Sequence, residues 1–229
     1  MDRETRNKMV SGTGQADLTT GNACWETPPL IFEKLNEDFG PFDIDLTADA
    51  QRHLCDVWFG PDSPFGPCGY DALATNMLDD PQCIGDWSAS LNHCGYSNPP
   101  YGPFIQKMLP LAKANALHCG FTSVFLLPLR VTKAFKDHIL KGASDLIFPD
   151  KRIVFFENGA PRINQKLWLT KGKLSADPAI FDSIIVRYAP GTPLDASPKL
   201  STWEVPIHVT PEDLERARRL QPSPLEVAA

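Results

Sequence analysis

Nothing in these 229 residues could cross a bilayer as a helix: no apolar run approaches the roughly 20 residues a span requires, and the opening Met1-Asp2-Arg3-Glu4 has no signal-peptide pattern. A cytoplasmic protein without a membrane partner is the expectation. Six cysteines are present (Cys24, Cys55, Cys68, Cys83, Cys94 and Cys119), yet no two have C-x-x-C spacing. Four of them lie with His53 and His93 between residues 53 and 94, a spacing that admits a zinc clip. Reduced structural thiols suit a cytosolic chain better, and no metal is expected. Positive charge is in deficit, with 22 Lys and Arg against 28 Asp and Glu and a net charge of −6. Taken whole, that balance speaks against nucleic acid. There is no internal repeat, and 42% hydrophobic with 22% charged residues fits one globular domain with a proper core and tails.

The distribution of charge changes the picture. Residues 1–100 carry 5 Lys and Arg against 16 Asp and Glu, net −11, whereas residues 101–190 carry 13 against 6, net +7. The remainder carries 4 against 6, net −2. A basic second half is what a polyanionic partner requires, because phosphate contacts supply most non-specific affinity. A charge-segregated, solvated surface is the plainer reading of the same numbers.

In chain order, residues 1–24 are polar and aperiodic and read as a mobile arm. Thr27 can cap, and Pro28 can open, a helix with apolar spacing at Leu30, Ile31, Leu35 and Phe39, stopped by Gly40-Pro41. Phe42 to Leu46 alternates like a strand and ends in the small, polar Thr47-Ala48-Asp49-Ala50. Ligands of open α/β sheets bind at such carboxyl edges, so Asp45 and the residues after it are placed to line a cofactor site. Residues 51–93 are loop-rich. Phe104 to about Leu117 reads as a helix bent near Pro110, and Phe121 to Leu127 as a central parallel strand. A short helix at 132–140, strands at 146–148 and 153–156, and a last core strand from Ser183 to Tyr188 follow. This alternation implies an α/β fold with a mostly parallel sheet flanked by helices. Residues 157–179 read as a long, basic, turn-rich loop. A Pro-rich linker from 189 to 202 then leads to a capped helix at Thr210-Pro211-Glu212-Asp213.

The clearest chemical signal is Asn98-Pro99-Pro100-Tyr101, at the end of a short run, Cys94 to Ser97, that reads as a buried strand. Asn98 offers a side-chain carbonyl and Pro99 a backbone carbonyl, both acceptors. The prolines stiffen the run and aim these oxygens one way. An exocyclic NH₂ donating both hydrogens to them, with its ring on the flat face of Tyr101, would have its nitrogen lone pair drawn out of conjugation. That makes the nitrogen a nucleophile by positioning and electrostatics, with no histidine base and no metal.

The order of these pieces resembles the DNA adenine N6-methyltransferase family of bacteriophages and prophages, commonly called the phage Dam family. The resemblance runs from about Trp25 to Tyr188. Thr27-Pro28 is similar to its N-terminal cofactor motif, Asp45-Leu46-Thr47-Ala48 to its Asp-x-x-Ala strand end, and Asp71-Ala72-Leu73 to its Asp-Gly-Leu. Asn98 to Gly102 matches its catalytic motif, Leu127-Pro128-Leu129-Arg130 resembles its Leu-Pro-Ala-Arg, and Lys151 to Phe155 resembles its Gly-Arg-x-x-Phe. The chain departs from it in reading Arg130-Val131-Thr132-Lys133 where the family has Arg-Thr-Asp-Thr, and in placing Ala72 and Lys151 where it has glycine.

The resemblance implies the Rossmann-like methyltransferase fold over residues 25–190 and S-adenosylmethionine as cofactor. Trp25, Thr27, Pro28, Asp45, Thr47, Ala48, Asp71, Leu73 and Asn98 would face that cofactor, with Asp49 or Asp56 as guesses for its ribose. Asn98, Pro99, Pro100 and Tyr101 would hold an adenine flipped out of double-stranded DNA. Arg130, Lys133, Lys136, Arg152, Arg162 and Lys166 are candidates for DNA contacts, residues 157–179 for base reading, and Phe155, with Phe156, for a stacking face. The expected state is a monomer or weak dimer in the cytoplasm of a bacterial host cell, and the resemblance implies protection of phage DNA from host restriction. Cytosine N4, RNA adenine and a protein glutamine amide present similar NH₂ groups and remain open, as does a catalytically silent DNA-binding protein.

Overall fold

The computed structural model describes residues 25–48, 50–59, 93–99, 101 and 103–221. The N-terminal arm, Asp49, Cys68, Asp71, Leu73, Cys83, Pro100 and Gly102 lie outside the described residues, and so do the expectations attached to them.

Helix α1 (Pro29–Phe39) buries Ile31 and Leu35 on one face. Its cap differs from expectation: Pro28 occupies the N-cap position without a side-chain cap, and the hydroxyl of Thr27 turns inward instead. Strands β1 (Ile44–Asp45), β2 (Val57–Trp58), β3 (Cys94–Ser97) and β4 (Thr122–Pro128) are mutually parallel in the order β2-β1-β3-β4. Helix α2 (Pro103–His118) carries the chain from β3 to β4 and continues through Pro110. Beyond β4, one π-helical stretch (Phe135–Ile139) leads to β5 (Asp145–Pro149).

The sheet closes in an unexpected order. Strand β8 (Ser183–Tyr188) lies between β4 and β5 and runs antiparallel to both, while β9 (Lys199–Trp203) adds to β5 in parallel. Among the described residues seven strands therefore stand in the order β2-β1-β3-β4-β8-β5-β9, and of these β8 opposes the rest. The register alternates side chains between two cores. On one face Phe125, Leu127, Ile184 and Val186 pack with Met108, Leu109 and Ala112 of α2 and with Phe135 and Ile139. On the other, Val124, Leu126 and Ile185 pack with Ile31 and Leu35 of α1, Tyr96, Phe155 and Trp203. Each such large side chain contributes roughly 1.5–3 kcal/mol by leaving water. This is an α/β architecture with a mostly parallel sheet flanked by helices, Rossmann-like in plan.

Three further sequence expectations need correction. The strand foreseen at 153–156 is only β6 (Phe156–Glu157), which leaves the main sheet to pair with β7 (Ala160–Pro161) across the turn Asn158-Gly159. Both turn residues have positive φ, 54° and 74°, as a two-residue hairpin of this kind needs. The supposed loop 157–179 also contains α3 (Gln165–Lys171), capped by the Asn164 side chain and ended by Gly172 in the left-handed region. Finally, β9 occupies residues read as linker. The last helix, α4 (Pro211–Leu220), has the expected Thr210–Asp213 capping box and buries Ala217 against Ala160 and Ile163.

Candidate active site

From β1 the chain goes outward to β2 on one side, while β3 and β4 extend the sheet on the other. The carboxyl ends of β1 and β3 therefore flank the switch point, where an open α/β sheet leaves a crevice for ligands. Asp45 closes β1; Ser97 and Asn98 close β3. The two ends are tied together by Leu46 N–H donating to the Tyr96 carbonyl at 2.8 Å and by the Thr47 and Ser97 hydroxyls at 2.7 Å.

Asp45 is buried, and its two carboxylate oxygens accept from the backbone N–H groups of Thr47 and Leu54, each at 3.2 Å. It shapes the turn after β1, next to Tyr96 in the sheet register. Thr47 and Ala48, small and half-buried, leave room in that turn. Asp56 is exposed just before β2.

Asn98 is held on its nitrogen side. Nδ2 donates to the Trp25 carbonyl at 2.6 Å and to Thr27 Oγ1 at 3.1 Å. Its oxygen faces the other way and accepts from the Tyr101 hydroxyl at 3.2 Å. One Oδ1 lone pair remains for a second donor. Burial pushes the Tyr101 phenol well above its ordinary value, partly opposed by the positive charge of Arg130 at the end of β4, so this hydroxyl keeps its proton. Pro99 is buried.

An aromatic wall surrounds this point. The Tyr101 ring meets Phe181 edge to face at 5.5 Å, Phe181 meets Trp25 at 6.1 Å, and Trp25 meets Phe155 at 6.0 Å. Phe181 was not singled out in the sequence. Its signal is faint: one aromatic just ahead of β8, some eighty residues from Tyr101. Phe155 is only 1% exposed and belongs to the core, and Phe156 is buried in the hairpin, so neither presents a ring to solvent.

The candidate DNA contacts differ in exposure and in what already holds them. Lys136 and Lys166 are exposed. Lys133 is exposed too but ion-paired with Asp137 one turn on, and Arg152 pairs with Asp182 at 2.9 Å. Arg162 lies 3.9 Å from Glu157 and sits over the Trp25 ring at 5.9 Å. A cleft of about 880 Å³ runs along Glu26, Thr27, Pro29 and Leu30. Arg52, His53, Asn158, His208 and Arg216 line it, and Glu26 spans it, accepting from Asn158 and Gly159 N–H at 3.0 and 2.8 Å.

Among the described residues, no three His, Cys, Asp or Glu side chains gather as metal ligands, and no helix is long and apolar enough to cross a membrane. Cys55 and Cys94 are buried free thiols. Burial pushes Cys94 up to about 11, and the nearby Asp43 charge adds to it.

No family model and no solved structure matches the chain. One protein of Escherichia coli (strain K12), named "Putative methyltransferase YfdM", is 29% identical over 101 residues, which cover 43% of this chain and 87% of that protein. The sheet plan and this similarity together support a methyltransferase as the class of protein, and with it dependence on S-adenosylmethionine.

Proposed function

We propose that this protein transfers a methyl group from S-adenosylmethionine to the N6 amino group of adenine in double-stranded DNA. The observation that carries the reading is the Asn98 amide at the carboxyl end of β3, held on its nitrogen side and keeping one Oδ1 lone pair beyond the Tyr101 bond, with buried Asp45 closing the neighbouring strand β1. The residues fit the cofactor: the crevice between the β1 and β3 ends is bordered by small side chains and one buried acid, which suits a positively charged sulfonium. Asp45, Thr47, Ala48 and Pro28 would hold it, and when bound it supplies an electrophilic methyl group on a good leaving group.

The protein's own part is to present the nucleophile. Asn98 Oδ1 and the Pro99 carbonyl accept the two amino hydrogens, Tyr101 and Phe181 bound the base, and the nitrogen lone pair is turned toward the methyl donor. In a closed duplex N6 is paired, so the base must be extruded. Lys136, Lys166 and Arg130 supply positive charge for the flanking phosphates.

The test is incubation with radiolabelled-methyl S-adenosylmethionine and, in parallel reactions, unmethylated DNA, RNA or bacterial protein, the nucleic acids then being digested to nucleosides for chromatography. Label in N6-methyl-2′-deoxyadenosine from DNA is the expected result. Label in N4-methylcytosine would change the base and keep the mechanism; label only in RNA or protein would overturn the DNA acceptor. Asn98→Ala should abolish transfer and leave cofactor binding largely intact.

A further inference from the structure

The Thr27 hydroxyl sits where a cofactor residue was expected, yet its contacts lead elsewhere. Thr27 is 6% exposed, and its Oγ1 lies 2.7 Å from the hydroxyl of Tyr96, a side chain 1% exposed in the middle of β3. The same Oγ1 accepts from Asn98 Nδ2 at 3.1 Å. A hydroxyl has one hydrogen and two lone pairs, so whichever of Thr27 and Tyr96 donates to the other, a lone pair stays on Thr27 for Asn98.

This settles which way the Asn98 amide points. With Nδ2 against two acceptors, Thr27 Oγ1 and the Trp25 carbonyl at 2.6 Å, both amide hydrogens are used. A flipped amide would press its oxygen against the Trp25 carbonyl and turn NH₂ toward Tyr101, leaving two donors where an acceptor is needed. Tyr96 anchors the arrangement because its ring is wedged between Phe32 at 5.3 Å and Phe42 at 5.6 Å. The sheet core thus holds a hydroxyl, that hydroxyl holds an amide nitrogen, and the amide oxygen is turned away from both, toward the Tyr101 hydroxyl.

We infer that Thr27 and Tyr96 are positioning residues, a hydroxyl pair that locks the Asn98 amide with its oxygen toward the acceptor amine; this rests on the amino-methyltransferase reading of the site. The partner of Thr27 is therefore the catalytic side chain and not the cofactor.

The experiment measures kcat, the KM for DNA and the S-adenosylmethionine dissociation constant by calorimetry for Thr27→Val, Thr27→Ser, Tyr96→Phe and Asn98→Ala. Misplacement of a reacting group by about 1 Å costs up to about 10²-fold, so Thr27→Val should lose about 10- to 10²-fold in kcat with KM and cofactor affinity within about twofold of the parent. Thr27→Ser, which restores the oxygen, should recover most of it. Tyr96→Phe, which removes one atom and keeps the ring, should show a smaller loss of the same kind and serves if Thr27→Val does not fold. Full kcat in both Thr27→Val and Tyr96→Phe would overturn the proposal. So would weakened cofactor binding with kcat restored at saturation, which makes Thr27 a cofactor residue. An active Asn98→Ala variant would instead overturn the reading of the site itself, so the two failures are distinguishable.

Discussion

The Tyr101 hydroxyl donates to Asn98 Oδ1 at 3.2 Å, so the aromatic that ends the Asn-Pro-Pro-Tyr run steers the acceptor oxygen as well as offering a ring. Tyr101→Phe keeps the ring and removes that bond. A neutral hydrogen bond is worth about 0.5–1.5 kcal/mol, so kcat should fall by up to about tenfold in single-turnover methyl transfer. Tyr101→Ala, which also removes the contact with Phe181, should fall much further.

Lys136 and Lys166 are both exposed. If both touch phosphates, each Lys→Ala change should weaken binding to all DNA sequences alike and lower the slope of log K against log salt by about 1. Fluorescence anisotropy at a series of salt concentrations reads this directly. An unchanged slope in either variant removes that lysine from the interface.

His208 accepts the Val154 N–H at Nε2 (3.0 Å) while Nδ1 meets the Pro206 carbonyl at 2.9 Å, the pattern of a neutral ring. Burial, with help from the charge of Lys151, pushes its pKa below the ordinary value. The unfolded chain therefore takes up the proton first as pH falls. Stability is full above the unfolded value near 6.5 and declines below it until the folded pKa is passed. The urea midpoint should drop between pH 7.5 and 5.5, and His208→Asn should show a shallower drop from a lower start.

Ala217 is fully buried where α4 meets the β6–β7 hairpin. Ala217→Leu overfills that contact and should cost about 1–3 kcal/mol. Arg216, which donates to the Gly159 carbonyl at 2.9 Å from an exposed position, should matter less: Arg216→Ala is expected to shift stability by under about 1 kcal/mol. Thermal unfolding with limited proteolysis of the C-terminal helix checks both.

How much of this was legible depended on whether a segment's own residues carried the reason for its conformation. Val124, Phe125, Leu126 and Leu127 are apolar because both faces of β4 are covered, so that strand could be read directly. Asn98 to Tyr101 could be read because stiffness and acceptors are local properties. Strand β9 could not: Lys199 to Thr202 are all exposed, and only pairing with β5 makes them a strand. Thr27 was misread as a helix cap because the Tyr96 hydroxyl that claims it lies 69 residues away. Phe181 escaped for the same reason, since its value lies in the Tyr101 ring beside it.

The place of β8 has a consequence for how the chain comes together. Strands β4 and β5 never pair with each other; both pair with β8, which is made after them. Until residue 188 has left the ribosome, a nascent chain carries two open, apolar strand edges with nothing between them. Folding of the sheet is thus delayed to a late point in synthesis and completed by inserting one strand into a waiting slot, a non-local step that is slow and exposes the chain to mispairing. A protein truncated before Ser183 would be left with a split sheet, not a smaller one.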